Sequence, residues 1–164
     1  MHTLALLAAL TATAEEPDNL AAAIEQAEIT GTESEVQIVA FNARGEIVGT
    51  IALWLEPDGR LVLASDYADG YAETVVTDRR AQTEATIPPE AIAARADAMV
   101  GALDGRRTRA DLLGCALSAG TAAAACSPPS VAAGVGVVGC AAGVYLAACV
   151  CLPLFDVHPE CPGD

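Results

Sequence analysis

Six cysteines carry most of the chemistry this sequence can do, and all stand in its last third: Cys115, Cys126, Cys140, Cys149, Cys151 and Cys161. Thiols can pair as disulfides, bind a soft metal, or attack as nucleophiles when a base activates them. Bases are scarce: His2 and His158 lie near opposite ends, and there is no lysine. No GxSxG, HExxH or phosphate-cradling glycine loop occurs. Asp58, Asp66, Asp69 and Glu73 read as part of a solvated acidic face. The chain is therefore expected to be no enzyme and to need no cofactor. Six cysteines in the last 54 residues is about 11%, above the roughly 8–10% that marks a disulfide scaffold.

Spacing narrows how the sulfurs can pair. Cys115 and Cys126 are 11 apart, as are Cys140 and Cys151. In a helix, 11 steps turn about 1100° and rise about 16 Å, so each pair shares one face but cannot bond within its own helix. Bridges must cross between helices or reach the tail. Folding the chain about Pro128 and Pro129 sets Cys115 opposite roughly residue 142, which makes Cys115–Cys140 the expected bridge. The other four cysteines stay open in their pairing. A competing reading is a metal-binding module, because Cys149, Cys151, His158 and Cys161 place four soft ligands within 13 residues.

The elements that would hold these cysteines follow from local pattern. Thr108 to Asp111 resembles a capping box and opens a helix over residues 112–126. Ser127-Pro-Pro-Ser130 breaks it, and a second helix is expected from Val131 to about Cys151, with Pro153 and Pro159 ending regular structure. The hairpin is built from Ala, Gly, Ser, Cys and Val, and Gly139 to Gly143 has the GxxxG spacing that lets backbones approach. Val131–Leu154 is a run of 24 uncharged residues, long enough to span a bilayer. It has no flanking Lys or Arg to orient it. So few large side chains in a 54-residue unit would need covalent bracing to fold on its own.

The preceding part is of another kind. Up to Ala110 it holds 18 of the 22 acids and all eight Arg, whereas Leu112–Phe155 has no charged residue. The net charge of −14 argues against nucleic-acid binding, which needs clustered cations. Excess acid without lysine suits a halophilic protein, whose self-repulsion strong salt would screen. Val36–Asn42, Ile47–Leu55, Leu61–Ser65 and Tyr71–Thr77 alternate and are separated by turn residues, which predicts an antiparallel meander of three or four strands. Glu56-Pro-Asp-Gly59 fits a type I turn. Pro88-Pro89 starts a helix with Ile92, Ala96, Met99, Val100 and Leu103 on one face. Asp18 or Asn19 would cap a short helix over Pro17–Glu28. Trp54 and Phe41 are expected in the core.

The fold class expected is thus an α+β front domain, an antiparallel meander plus amphipathic helix, followed by an all-α, disulfide-stapled helical hairpin. Residues 1–14 (MHTLALLAALTATA) read as a signal or a first helix, without a twin arginine. Residues 15–105 form the acidic α+β domain, 106–109 an Arg-rich junction, and 110–164 the cysteine-rich hairpin and tail. Arg106, Arg107 and Arg109 would offer a protease a processing site.

This layout, together with Gly114-Cys115 and the stretch Val138-Gly-Cys-Ala-Ala-Gly143, resembles the halocin C8-like bacteriocin precursors of halophilic archaea over roughly Leu112–Cys161. The resemblance implies a precursor of a secreted, disulfide-stabilised, membrane-active antimicrobial peptide. Its partners would be the membrane of target cells and its own front domain or an immunity protein, the front part serving as pro-region or immunity domain. The alternative is a non-enzymatic, membrane-anchored envelope protein carrying a small α+β domain.

Overall fold

The computed structural model describes residues 18–32, 35–77, 80–103, 110–126 and 135–155. The fold is α+β. A short helix α1 (Asn19–Ala23) precedes six strands, β1 (Gln26–Gly31), β2 (Glu35–Phe41), β3 (Ile47–Leu55), β4 (Leu61–Tyr67), β5 (Gly70–Thr77) and β6 (Arg80–Ala85). Among the described residues there follow the helices α2 (Pro89–Gly101), α3 (Ala110–Ala125) and α4 (Val135–Cys151), and a 3-10 turn at Leu152–Phe155. The strands form one sheet in sequence order, each pair antiparallel.

Alternation decides which face is core. Val36, Ile38 and Ala40 on β2 stand in register with Leu53, Ile51 and Gly49 on β3, and these with Leu63, Ser65 and Tyr67 on β4. Ala72, Thr74 and Val76 continue the same face on β5. Its polar members are satisfied: Thr74 and Thr83 share a hydroxyl hydrogen bond of 2.9 Å across β5 and β6. Gly49 leaves room for the Tyr67 ring, since a Cβ there would lie 2.5 Å from it.

The turns follow local chemistry. Asn42 Oδ1 accepts from the backbone N–H of Arg44 and Glu46 at 2.9 and 3.0 Å, and Gly45 takes the positive φ of 75° that closes the turn. The Gly59 N–H donates to the Glu56 carbonyl at 2.9 Å, so the four-residue turn at Glu56–Gly59 forms as expected, with Gly59 at φ 85°.

Two strands exceed the expected meander. The helix foreseen over Pro17–Glu28 stops at Ala23: Ile24 turns extended, and the Glu25 N–H donates to the Phe41 carbonyl at 3.0 Å. From there Gln26–Gly31 pairs with β2 as an edge strand. Asp18 does cap α1, accepting from Leu20 and Ala21 N–H at 2.9 and 2.8 Å. Trp54 is not a core residue. It stands opposite Glu35 and Val62 on the outer face of the sheet and is half-buried, as is Phe41 at the β2 bulge.

α2 begins at Pro89, buries Ile92, Ala96 and Met99, and delivers Leu103 to a bridge with Ala27 of β1. Helices α3 and α4 pack antiparallel as a hairpin, with α3 also against α2 and α4 also against β4 and β6. Buried residues of the hairpin and of the sheet belong to one continuous apolar cluster. The cysteine-rich part therefore closes two bridges within itself and shares its core with the sheet.

Candidate functional site: a disulfide-braced hairpin and its arginine clasp

Hairpin geometry depends on how closely the two helices approach. A Cβ added to Gly143 of α4 would lie 3.5 Å from the Ala122 Cα of α3. Small side chains let the two axes come together, and cysteines on the seam then meet. Cys126 bonds Cys140, with Cα atoms 4.6 Å apart, and Cys115 bonds Cys151, with Cα atoms 4.7 Å apart. All four residues are 0–2% exposed. Cys149 is also disulfide-bonded, and among the described residues no cysteine is free.

The expected bridge Cys115–Cys140 does not form. It assumed a fold-back at Pro128 and Pro129, whereas the two observed pairs are both centred on position 133. The equal spacings held part of the signal, but not the point at which the chain folds back. Equal 11-residue spacings on antiparallel helices let two rungs close at once only when the outer cysteine pairs with the outer and the inner with the inner. Cys115–Cys140 would have left Cys126 and Cys151 without opposite partners.

The metal reading does not survive. The sulfur of Cys151 is bonded to Cys115 and that of Cys149 is oxidised, so two of its four ligands offer no thiolate. His158 and Cys161 lie outside the described residues, as do Arg106, Arg107 and Arg109 of the junction and residues 1–14. Among the described residues no group of His, Cys, Asp and Glu is arranged to hold a metal ion. Of the GxxxG pair only Gly143 packs against a helix; Gly139 faces open space. The glycine that matters most for docking is Gly120 of α3, where a Cβ would lie 2.7 Å from Val100 Cγ2 of α2.

On its solvent side the hairpin exposes Leu117 (50%) and Leu146 (62%). No helix among the described residues is long and apolar enough to cross a membrane. Of the long uncharged run that suggested a span, Val135–Cys151 form a 17-residue helix.

The second cluster is polar. Arg95, 4% exposed, sits in the middle of the apolar stripe of α2. Its Nη1 and Nη2 donate to the two Asp69 oxygens at 2.7 Å each, and its Nε donates to Asp18 at 3.1 and 3.2 Å. The guanidinium carbon lies 4.8 Å from the centroid of the Tyr67 ring, a cation–π distance. The Tyr67 hydroxyl in turn donates to Met99 Sδ at 3.9 Å. One side chain thus ties together the start of α1, the β4–β5 turn and α2.

The electrostatics are those of a closed clasp. Burial disfavours the charged Arg95, but hydrogen bonds to Asp69 and Asp18 outweigh it and raise its pKa. Burial would raise Asp18, yet the Arg95 hydrogen bond and the Ala21 N–H hold its carboxyl below the usual range. Asp69 is held low first by its Arg95 hydrogen bonds. Burial pushes the Tyr67 phenol up to about 12. No catalytic geometry results, because the arginine is engaged by its own two carboxylates. The cluster escaped notice in the sequence, although Arg95 lies three residues after Ile92 and four before Met99, on the stripe itself.

Comparison with known protein families, with curated proteins and with solved structures finds nothing that matches this chain.

Proposed function

We propose that the chain is a two-part precursor whose residues 110–164 are a disulfide-stabilised, membrane-active peptide and whose front domain is its covering pro-region or immunity partner. One observation carries the reading: two rungs close inside the hairpin, Cys126 to Cys140 and Cys115 to Cys151. With no cysteine before Cys115, no bridge can fasten the hairpin to the sheet domain. A cut within residues 104–109 would leave the hairpin braced and attached only by packing.

Other features support it. The hairpin carries no charged side chain from Leu112 to Phe155, so its surface can meet lipid without desolvating an ion. Leu117 and Leu146 already face solvent, and the opposite side is covered by α2 and the sheet. Docking would keep the apolar unit soluble until release. Disulfide pairing fits an oxidising, extracellular setting. The resemblance to halocin C8-like precursors, and with it secretion and antimicrobial action, belongs to this proposal.

The test is limited digestion of the purified protein with an arginine-specific protease, followed by dye release from phospholipid vesicles in strong salt. The separated hairpin with its bridges intact should cause leakage, and the uncut chain should not. An oxidised hairpin that leaves vesicles sealed would sink the reading. Full-length protein recovered from the membrane fraction of its cells would favour the anchored envelope protein.

A further inference from the structure

The disulfides of the hairpin do not share one environment. Cys115, Cys140 and Cys151 are fully buried and Cys126 is 2% exposed, all within the cluster that includes the sheet core. Cys149, on the same helix as Cys140 and Cys151, is disulfide-bonded yet only half-buried. Thiol–disulfide exchange proceeds by attack of a thiolate along the axis of the sulfur pair, so it requires physical access to a sulfur. The two rungs join α3 to α4, and α3 packs against α2 while α4 packs against β4 and β6. Gly120 of α3 faces α2 so closely that a Cβ there would lie 2.7 Å from Val100 Cγ2.

From this we infer that the hairpin carries two classes of disulfide: an outlying one at Cys149 that exchanges in the folded chain, and two seam rungs that are reduced only when the hairpin lifts from the sheet. The front domain is then a redox shield for the brace. In the docked state a reductant consumes the outlying bridge and stops; once undocked, the hairpin exposes one side of each rung and loses its brace. The inference concerns the intact chain and does not rest on membrane activity.

Each exchange balances as a two-electron transfer. A small dithiol gives up its two S–H hydrogens and closes to a cyclic disulfide, and one protein cystine becomes two thiols.

The experiment uses the full chain with dithiothreitol, quenching aliquots with N-ethylmaleimide. Intact mass counts reduced cysteines, and peptide mapping locates them. Cys149 and the cysteine bonded to it should be labelled first, and Cys115, Cys126, Cys140 and Cys151 should follow together, at least about tenfold more slowly, because their reaction waits on opening of the native state. Gly120→Leu, which cannot seat against Val100, should speed the seam rungs and leave the Cys149 rate unchanged. Should that variant fail to fold, urea below the unfolding transition of the wild-type chain gives the same contrast. Equal rates for all cysteines, or seam rungs indifferent to both Gly120→Leu and urea, would overturn the inference.

Discussion

The Arg95 clasp makes a prediction about order that runs against intuition. Arg95 is the buried member, whereas the Asp18 and Asp69 side chains are 16% and 50% exposed. Replacing Arg95 by Met removes the ion pairs to both aspartates, but the carboxylates left behind can turn to water and the thioether still covers the Tyr67 ring. That change should cost about 1 kcal/mol, because an apolar isostere commonly substitutes for a buried ion pair at little loss. The pair Asp18→Asn with Asp69→Asn keeps the hydrogen-bond acceptors and the α1 cap while stranding a buried cation. It should cost about 3 kcal/mol, the lower end for an uncompensated buried charge. Urea unfolding reads both, as a shift of midpoint at unchanged slope. The pH profile gives an independent check. Both carboxyls are held below 3.8 in the folded chain, so their contribution is complete above about pH 4 and is lost as pH falls through the folded values. The double Asn variant should lose that acid-side slope. If Arg95→Met destabilises more than the double Asn variant, the assignment of the arginine as the costly buried partner is wrong.

Removing the rungs should follow their loops. Cys126→Ser with Cys140→Ser opens a separation of 14 and should cost about 3 kcal/mol, and Cys115→Ser with Cys151→Ser opens one of 36 and should cost about 4 kcal/mol; thermal melts in the absence of reductant would rank them. Gly49→Ala drives a Cβ into the Tyr67 ring, 2.5 Å away, and should cost about 1–3 kcal/mol as overpacking, visible in near-ultraviolet circular dichroism as a disturbed tyrosine. In an alkaline ultraviolet titration Tyr67 should ionise at about 12. Because its folded value is raised, the stability it confers is full below pH 10 and is lost as pH climbs through 12.

Much of the architecture is written locally. Alternating apolar runs gave away β2 to β5, Asn42 and Glu56-Pro-Asp-Gly59 marked two turns, Pro88-Pro89 marked the start of α2, and the apolar helices of the hairpin were visible as such. The edge strands β1 and β6 were not. QAEITG and RAQTEA are polar, with few residues that reward a core, and become strands through backbone pairing with a neighbour already in place. Trp54 was misplaced for a related reason: an aromatic on a strand signals burial, but its parity puts it on the outer face of the sheet.

That the cysteines would be oxidised in a hairpin of their own was determined by composition and by their confinement to the last third. Which sulfur meets which was not, because the equal spacings fix the rungs only once the helices have aligned in a given register. Tertiary packing decided three things no local pattern encodes: the rungs centred on position 133, the seating of Gly120 on Val100, and the burial of Arg95 between two distant aspartates. Each is a contact across long sequence separations, set by which surfaces exclude water together and not by the preferences of any single segment.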